Sequence, residues 1–298
     1  MAKARVIIKR RKAVRNIRKI TKVMQMIASS RYQKAFKRAM GTKPFVKKLG
    51  ELVASAVAAV KAQGGNIEHP LMKDPAPGQK KTALLVLTSN RGLAGGYNGN
   101  ILRLANATFK ELAAANGGEW PDVYMSGKKG IAFAKFQGYK PAGTFTHLGD
   151  NPKFEEIAQL AQQFMDDYAA GKINGLKIVY MRFISAGQQR ATVMDVLPLA
   201  NLAGGDDVAK KNDVPYEFSP SPAEILEELI PITVKTSIFQ AFIEAAVSEQ
   251  IARMVAMKAA TDNAEKLGKK LTQEYNRARQ SQITSELAEL MGGVAALS

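Results

Sequence analysis

Apolar residues near the N-terminus recur at helical spacing. Ile17, Ile20, Met24 and Ile27 follow one another at steps of three and four, and Ala13 extends the series backwards. Such a seam has the seven-residue period of a coiled coil. Residues 3–40 contain no proline, and Val53, Ala56, Val57 and Val60 carry the pattern past Pro44, which bends the helix rather than ending it. A helix over 3–60 would be roughly 85 Å long. The stretch 63–80, QGGNIEHPLMKDPAPGQK, then breaks the pattern with Gly and Pro.

Beyond the break the grammar changes. Ala83–Leu87 reads as a buried strand, Ile101–Ala115 as a helix, Val123–Met125 as a short strand and Gly130–Phe136 as a helix. Phe154–Ala170 is an amphipathic helix, and Leu176–Ile184 and Ala191–Leu197 are strands joined as a hairpin around Ala186 and Gly187. Strands alternating with helices predict a mixed sheet with helices packed on it, in the manner of a Rossmann domain.

A second Gly- and Pro-containing break spans 201–222 and includes Gly204-Gly205-Asp206-Asp207. Ser221, Pro222 and Glu224 then form the signature of a capping box. Ile238, Ala241, Ala245, Ser248, Ala252, Val255, Ala259 and Asp262 make a seam of mostly small residues. Pro231 is expected to break or kink this helix early, and Gly292-Gly293 to end it. Its span would be roughly 100 Å.

The predicted fold is an α/β domain inserted between two long terminal helices that pair as an antiparallel coiled coil. The predicted segments are 1–62, 80–200 and 222–298. No apolar run approaches the ~20 residues of a membrane helix. The basic start MAKARVIIKRRK lacks the apolar stretch of a signal peptide, so the chain is expected on the cytoplasmic side.

Charge sharpens this picture only once it is located. The net charge is +17, yet residues 1–50 hold 17 Lys or Arg and no acid, and the remaining residues balance at 26 of each sign. Residues 222–298 carry 8 basic and 10 acidic side chains, too little to neutralise the first helix. That helix is therefore expected to want an acidic partner. Nucleic acid is one candidate, although Tyr32, Phe36 and Phe45 are its only aromatics and its seam is already committed to a helix.

Candidate chemistry is sparse. The chain has no cysteine, and His69 and His147 are isolated, which leaves a zinc site without ligands. The doublets Glu155-Glu156, Asp166-Asp167, Asp206-Asp207 and Glu227-Glu228 point in different directions on a helix and read as surface charge. The stretch Thr88–Asn98, TSNRGLAGGYN, lies between a strand and a helix, where phosphate-binding loops sit. It lacks the GK[ST] ending of a P-loop and the spacing of GxGxxG. It reads as a tight turn, with a nucleotide-binding enzyme as the rival.

Three segments carry a family resemblance. They are IRKITKVMQMIASS at 17–30, TSNRGLAGGYN at 88–98, and SEQIARMVAMKAATDNA at 248–264 continued by YNRARQSQITSEL at 275–287. Together the chain resembles the gamma subunits of F-type ATP synthase over essentially its whole length. The resemblance implies a central-stalk rotor that catalyses nothing itself and needs no cofactor or metal. Its helices would enter a hexamer of alpha and beta subunits, and its α/β foot would touch the epsilon subunit and the membrane ring of c subunits. It would sit peripherally on the cytoplasmic side of the cell (inner) membrane and would not bind nucleic acid.

The resemblance also implies contact residues. Arg253 and Gln280 fall where gamma subunits anchor to beta catch loops. Arg279, Thr284 and Glu286 lie in the same matching stretch. Met24 matches a position beside an acidic lever of beta, with seam packing as the alternative, and Arg18 and Lys22 would face that lever. Departures are Ala94, where many relatives have Cys, the absence of a cysteine pair for thiol control, and Asn90 in place of a common acid.

Overall fold

A computed structural model describes residues 2–65, 69–73, 81–149, 151–199, 216 and 218–297. The elements are α1 (Ala2–Ala62), a 3-10 turn (Pro70–Met72), β1 (Thr82–Leu87), α2 (Tyr97–Ala115) and β2 (Asp122–Ser126). They continue with α3 (Lys128–Phe136), β3 (Gly143–Phe145), α4 (Phe154–Ala169), β4 (Gly175–Ser185), β5 (Gln188–Leu197) and α5, which is residues Pro222–Leu297. Most of the second predicted break, including Gly204-Gly205-Asp206-Asp207, lies outside the described residues.

The chain divides into two compact units. One comprises Met1–Ser30 with Arg253–Ser298, and the other Arg31–Ala252.

The larger unit is built on a five-stranded sheet in the order β3-β2-β1-β4-β5. The first four strands are parallel, and β4 and β5 form the expected antiparallel hairpin. β1 is buried at every position, as a central parallel strand covered on both faces must be. Its side chains alternate between two cores. Ala83, Leu85 and Leu87 join α4 and the α1 and α5 segments of this unit, where Val57, Phe164, Ile230 and Ile238 are buried. Leu84 and Val86 face α2 and α3 with Ile101, Met125 and Val179.

The three-residue strand β3 was not predicted. It pairs with β2 through Tyr124↔Gly143, and a Cβ at Gly143 would lie 2.7 Å from the Tyr124 ring. A strand this short, opened by glycine, carries almost no periodic signal.

Pro44 lies inside α1 without ending it. Pro231 does not break α5 either, so of the expected break or kink the break is excluded. It removes one backbone donor in the third turn, while neighbours Ile230 and Val234 are fully buried and hold the segment in the core. Gly292-Gly293 does not stop the helix, which runs to Leu297. Neither is followed by a proline or another breaker, so the glycines act as poor helix formers rather than a terminus. Ser221 caps α5 as expected: its Oγ accepts the Glu224 N–H at 3.3 Å, while the Glu224 carboxylate takes the Ser221 hydroxyl at 3.0 Å.

One 18-residue stretch of α5 reaches a mean hydropathy of 1.3, apolar enough for a membrane span and more so than the sequence reading allowed. It is 72% buried within the protein, which is the signature of a core helix.

Candidate functional site

The smaller unit is a two-helix pair. Thr261 Oγ1 donates to Thr21 Oγ1 at 2.8 Å, and Thr21 passes its own hydrogen to the Arg18 carbonyl at 3.2 Å. Arg18 meets Glu265 at 3.1 Å. Arg11 lies over the Tyr275 ring, 5.0 Å from its centroid. As the numbers fall along α1 they rise along α5, so the pair is antiparallel, as predicted.

The packed seam is not the predicted one. On α5 the positions turned inward are Met257, Thr261, Ala264, Gly268, Leu271, Tyr275, Ala278 and Gln282, a strict alternation of four and three. On α1 they are Ile7, Val14, Thr21 and Ala28, joined by Arg11 and Gln25. The predicted series faces outward: Ile17 is 51% and Ile20 59% exposed, and Ile27, Val255, Ala259 and Asp262 are also exposed. The α5 prediction holds through Ser248, inside the larger unit, and slips beyond it. The sequence contains two seven-residue series on α1. From Val14 on, the one that packs uses smaller side chains, which let two backbones approach; Ile17, Ile20 and Ile27 are left outside.

The outer surface of this unit is therefore unusual. Ile17, Ile20, Val23 and Ile27 form an apolar stripe on α1. Ile283, Leu287, Leu290, Met291 and Val294 form another on the last turns of α5. Exposed apolar stripes of this extent mark interaction surfaces. The α1 segment of this unit also carries cations and no acid.

The residues that the resemblance singled out fall into three settings. Arg18 and Lys22 are exposed one turn apart, and Met24 is half-buried. Arg253 is only 6% exposed. Arg279, Gln280, Thr284 and Glu286 are exposed on α5, roughly 40 Å along the helix from Arg253. Thr284 Oγ1 donates to the Gln280 carbonyl at 3.0 Å, and Glu286 accepts from Gln282 at 2.8 Å. Gln280 and Thr284 thus share a face, whereas Arg253 stands apart and is packed.

In the larger unit the Thr88–Asn98 stretch binds itself. Ser89 N–H donates to Asn98 Oδ1 at 3.0 Å, and Ser89 Oγ donates to the Arg91 carbonyl at 2.6 Å. The amides that open α3 are taken as well. Lys128 N–H donates to Asn90 Oδ1 at 3.1 Å, Lys129 N–H to the Ser89 carbonyl at 3.1 Å and Gly130 N–H to Thr88 Oγ1 at 2.8 Å. Those donors are not available to cradle a phosphate. Gly127 has φ 94°, and a Cβ there would lie 2.1 Å from the Thr88 carbonyl oxygen, so only glycine fits.

Asn90 acquires a physical reason in this arrangement. Its amide accepts from Lys128 and donates to the Thr146 carbonyl at 2.9 Å. A carboxylate could do only the first.

Among the described residues no three His, Cys, Asp or Glu side chains are grouped to hold a metal. His69 caps the 3-10 turn, its Nδ1 accepting the Leu71 N–H at 3.2 Å, and burial lowers its pKa. A basic cluster that the sequence reading did not single out lines a cavity of about 330 Å³: Arg31, Lys34 and Arg38 over Ile243 and Ala246. Arg38 is fixed there by the side chain of Asn151 and the Pro152 carbonyl. The helical spacing of these cations, three and then four, was visible in the sequence, but not the floor they stand on.

The chain thus carries a helix-paired unit and a five-stranded α/β unit. The family described as ATP synthase matches residues 3–297. The chain is 42% identical to the ATP synthase gamma chain of Rhodopirellula baltica, across 100% of this chain and 99% of the relative. It is 38% identical to that of a Nocardioides species, over 96% and 94%. The chain belongs to the ATP synthase gamma chain family.

Solved structures share the fold. A chain of the Euglena gracilis mitochondrial ATP synthase, in an OSCP/F1/c-ring structure, superposes with TM-score 0.64 at 16% identity, covering 99% of this chain and 95% of that one. A chain of the Tetrahymena thermophila mitochondrial ATP synthase central stalk/c-ring gives 0.56 at 23%, covering 81% and 99%.

Proposed function

We propose that this chain is the central-stalk rotor of an F-type ATP synthase, coupling ion flow through a membrane ring to ATP synthesis or hydrolysis in an alpha/beta hexamer. It contributes no catalytic group; it transmits torque. Family membership supports the reading, and so do the ATP synthase structures that share its fold. The observation that carries it is the outward apolar surface of the coiled coil, Ile17, Ile20, Val23 and Ile27 on α1 with Leu287, Leu290 and Met291 on α5. A freely solvated helix pair would not expose it; a shaft enclosed by partner subunits would.

In this reading 1–62 and 222–298 supply the shaft and 80–200 the foot, which meets the epsilon subunit and the c-ring. The complex sits on the cell (inner) membrane with this chain peripheral on the cytoplasmic side. The acid-free face of α1, including Arg18 and Lys22, meets acidic segments of beta. Each exposed pair adds only ~0–1 kcal/mol, so helix packing and stiffness bear the torque. Gln280, Arg279, Thr284 and Glu286 contact the hexamer directly. Met24 lines the shaft surface, and Arg253 acts from a buried position that holds the α5 surface in place. The nucleic-acid reading of the basic helix has no relative among those reported above.

Co-expression with alpha and beta tests this. A stable complex that hydrolyses ATP is expected. No complex, with tight RNA binding by the chain alone, would overturn it.

A further inference from the structure

At the amino end of β2, away from the Thr88–Asn98 turn, three rings form a ladder. Phe109 of α2 stacks on Trp120 at 4.7 Å and on Tyr139 at 5.8 Å, with interplanar angles of 24° and 22°. Trp120, the chain's single tryptophan, is 62% exposed. Phe136, one residue from the lining residue Gln137, is 85% exposed. The rings wall a cleft of about 790 Å³ that Lys110, Lys140 and Asp122 also line.

Phe109 and Tyr139 pack on the core of Leu84, Val86, Val123 and Met125 and leave a void of only about 10 Å³, whereas Trp120 is not part of that packing. Trp120 could be polar without opening that core. An aromatic patch kept in water beside a finished core is an interaction surface. Stacking also fixes the rings in advance, so a partner would lose little side-chain freedom on docking. Both lysines are exposed, whereas the one lining carboxylate, Asp122, is half-buried at the strand end. Charge complementarity therefore favours carboxylates on the incoming group.

We propose that this cleft receives a polypeptide segment of a neighbouring subunit that presents an apolar or aromatic anchor beside carboxylates. The anchor stacks on Trp120, and the carboxylates meet Lys110 and Lys140. The proposal rests on the function above, because it requires the chain to be built into an assembly.

The single tryptophan makes the test specific. The chain is labelled with 5-fluorotryptophan, assembled with unlabelled subunits, and its ¹⁹F signal is read with a soluble paramagnetic agent. In the assembled, ATP-hydrolysing complex the Trp120 signal is expected to shift and its broadening to fall about tenfold relative to the free chain. Lys110→Glu with Lys140→Glu, both at exposed positions, is expected to restore the broadening. Unchanged broadening in an active complex overturns the proposal and leaves the rotor reading standing. Shielding that survives both charge reversals overturns the carboxylate partner. Shielding of the free chain by anionic lipid vesicles alone assigns the cleft to a membrane instead and also overturns it. A chain that assembles with nothing removes the rotor reading and this proposal together.

Discussion

Thr21 and Thr261 share a hydrogen bond of 2.8 Å across the antiparallel seam, and both are buried. The bond marks the register of the two helices, and each hydroxyl also reaches a carbonyl of its own helix, Arg18 for Thr21 at 3.2 Å and Met257 for Thr261 at 2.8 Å. Replacing one threonine by valine removes the bond across the seam while the other hydroxyl keeps its own-helix carbonyl, and should cost about 0.5–1.5 kcal/mol. Replacing both should cost little more than replacing either one, because the shared bond is already gone. Thermal unfolding of the two single variants and the double variant measures the coupling directly. Additive losses would mean that the two hydroxyls do not act as a pair.

A second relationship on the same seam predicts a gain. A Cβ at Gly268 would meet Val14 Cγ1 at 3.9 Å, an ordinary contact. Gly268→Ala should therefore stabilise the helix pair by about 0.5–1 kcal/mol through the helix interior. A raised Tm with unchanged helical content is expected.

The seam also shows what the sequence could and could not disclose. The long helices, the strand–helix alternation and the β4–β5 hairpin were legible because their apolar periods run for many residues. The seam itself was misassigned by one helical step. Isoleucines at 17, 20 and 27 made a stronger hydrophobic signal than Val14, Thr21 and Ala28, yet close approach favours the smaller set. Periodicity detects an apolar stripe without saying whether it meets the chain's own helix or another molecule. The same blindness hid Trp120, whose partners Phe109 and Tyr139 come from separate elements. Arg253 was expected at a surface contact and is packed, since nothing in its local spacing reports burial.

These placements divide the proposed contact residues. Gln280→Ala and Thr284→Ala lie on the exposed face of α5 and should alter the isolated chain's stability by less than about 0.5 kcal/mol. They should nonetheless lower ATP hydrolysis by the assembled complex. Arg253→Ala should lower both activity and Tm, because it removes a buried side chain. Unaltered turnover in Gln280→Ala and Thr284→Ala would detach that face from the hexamer.

His69 gives a pH dependence. Burial lowers its folded pKa below the ordinary 6.5, with Glu227 opposing, and its neutral Nδ1 is the acceptor that caps the 3-10 turn. A depressed folded pKa means that the unfolded chain takes up its proton first. The contribution to stability is thus present above about pH 6.5 and is lost as pH falls through the folded value. His69→Asn, which keeps an acceptor but does not titrate, should flatten the fall in Tm as the pH drops below about 6.5. An equally steep fall in that variant would place the sensitivity elsewhere.

The central claim is that this chain turns inside a stationary hexamer. A complex of this chain with alpha and beta subunits, immobilised through beta, carries a bead attached to the exposed surface of the Arg31–Ala252 unit, and the bead is followed during ATP hydrolysis. Unidirectional rotation of the bead, stopping when ATP is removed, is the predicted result. Sustained ATP hydrolysis with a stationary, firmly attached bead would contradict the account.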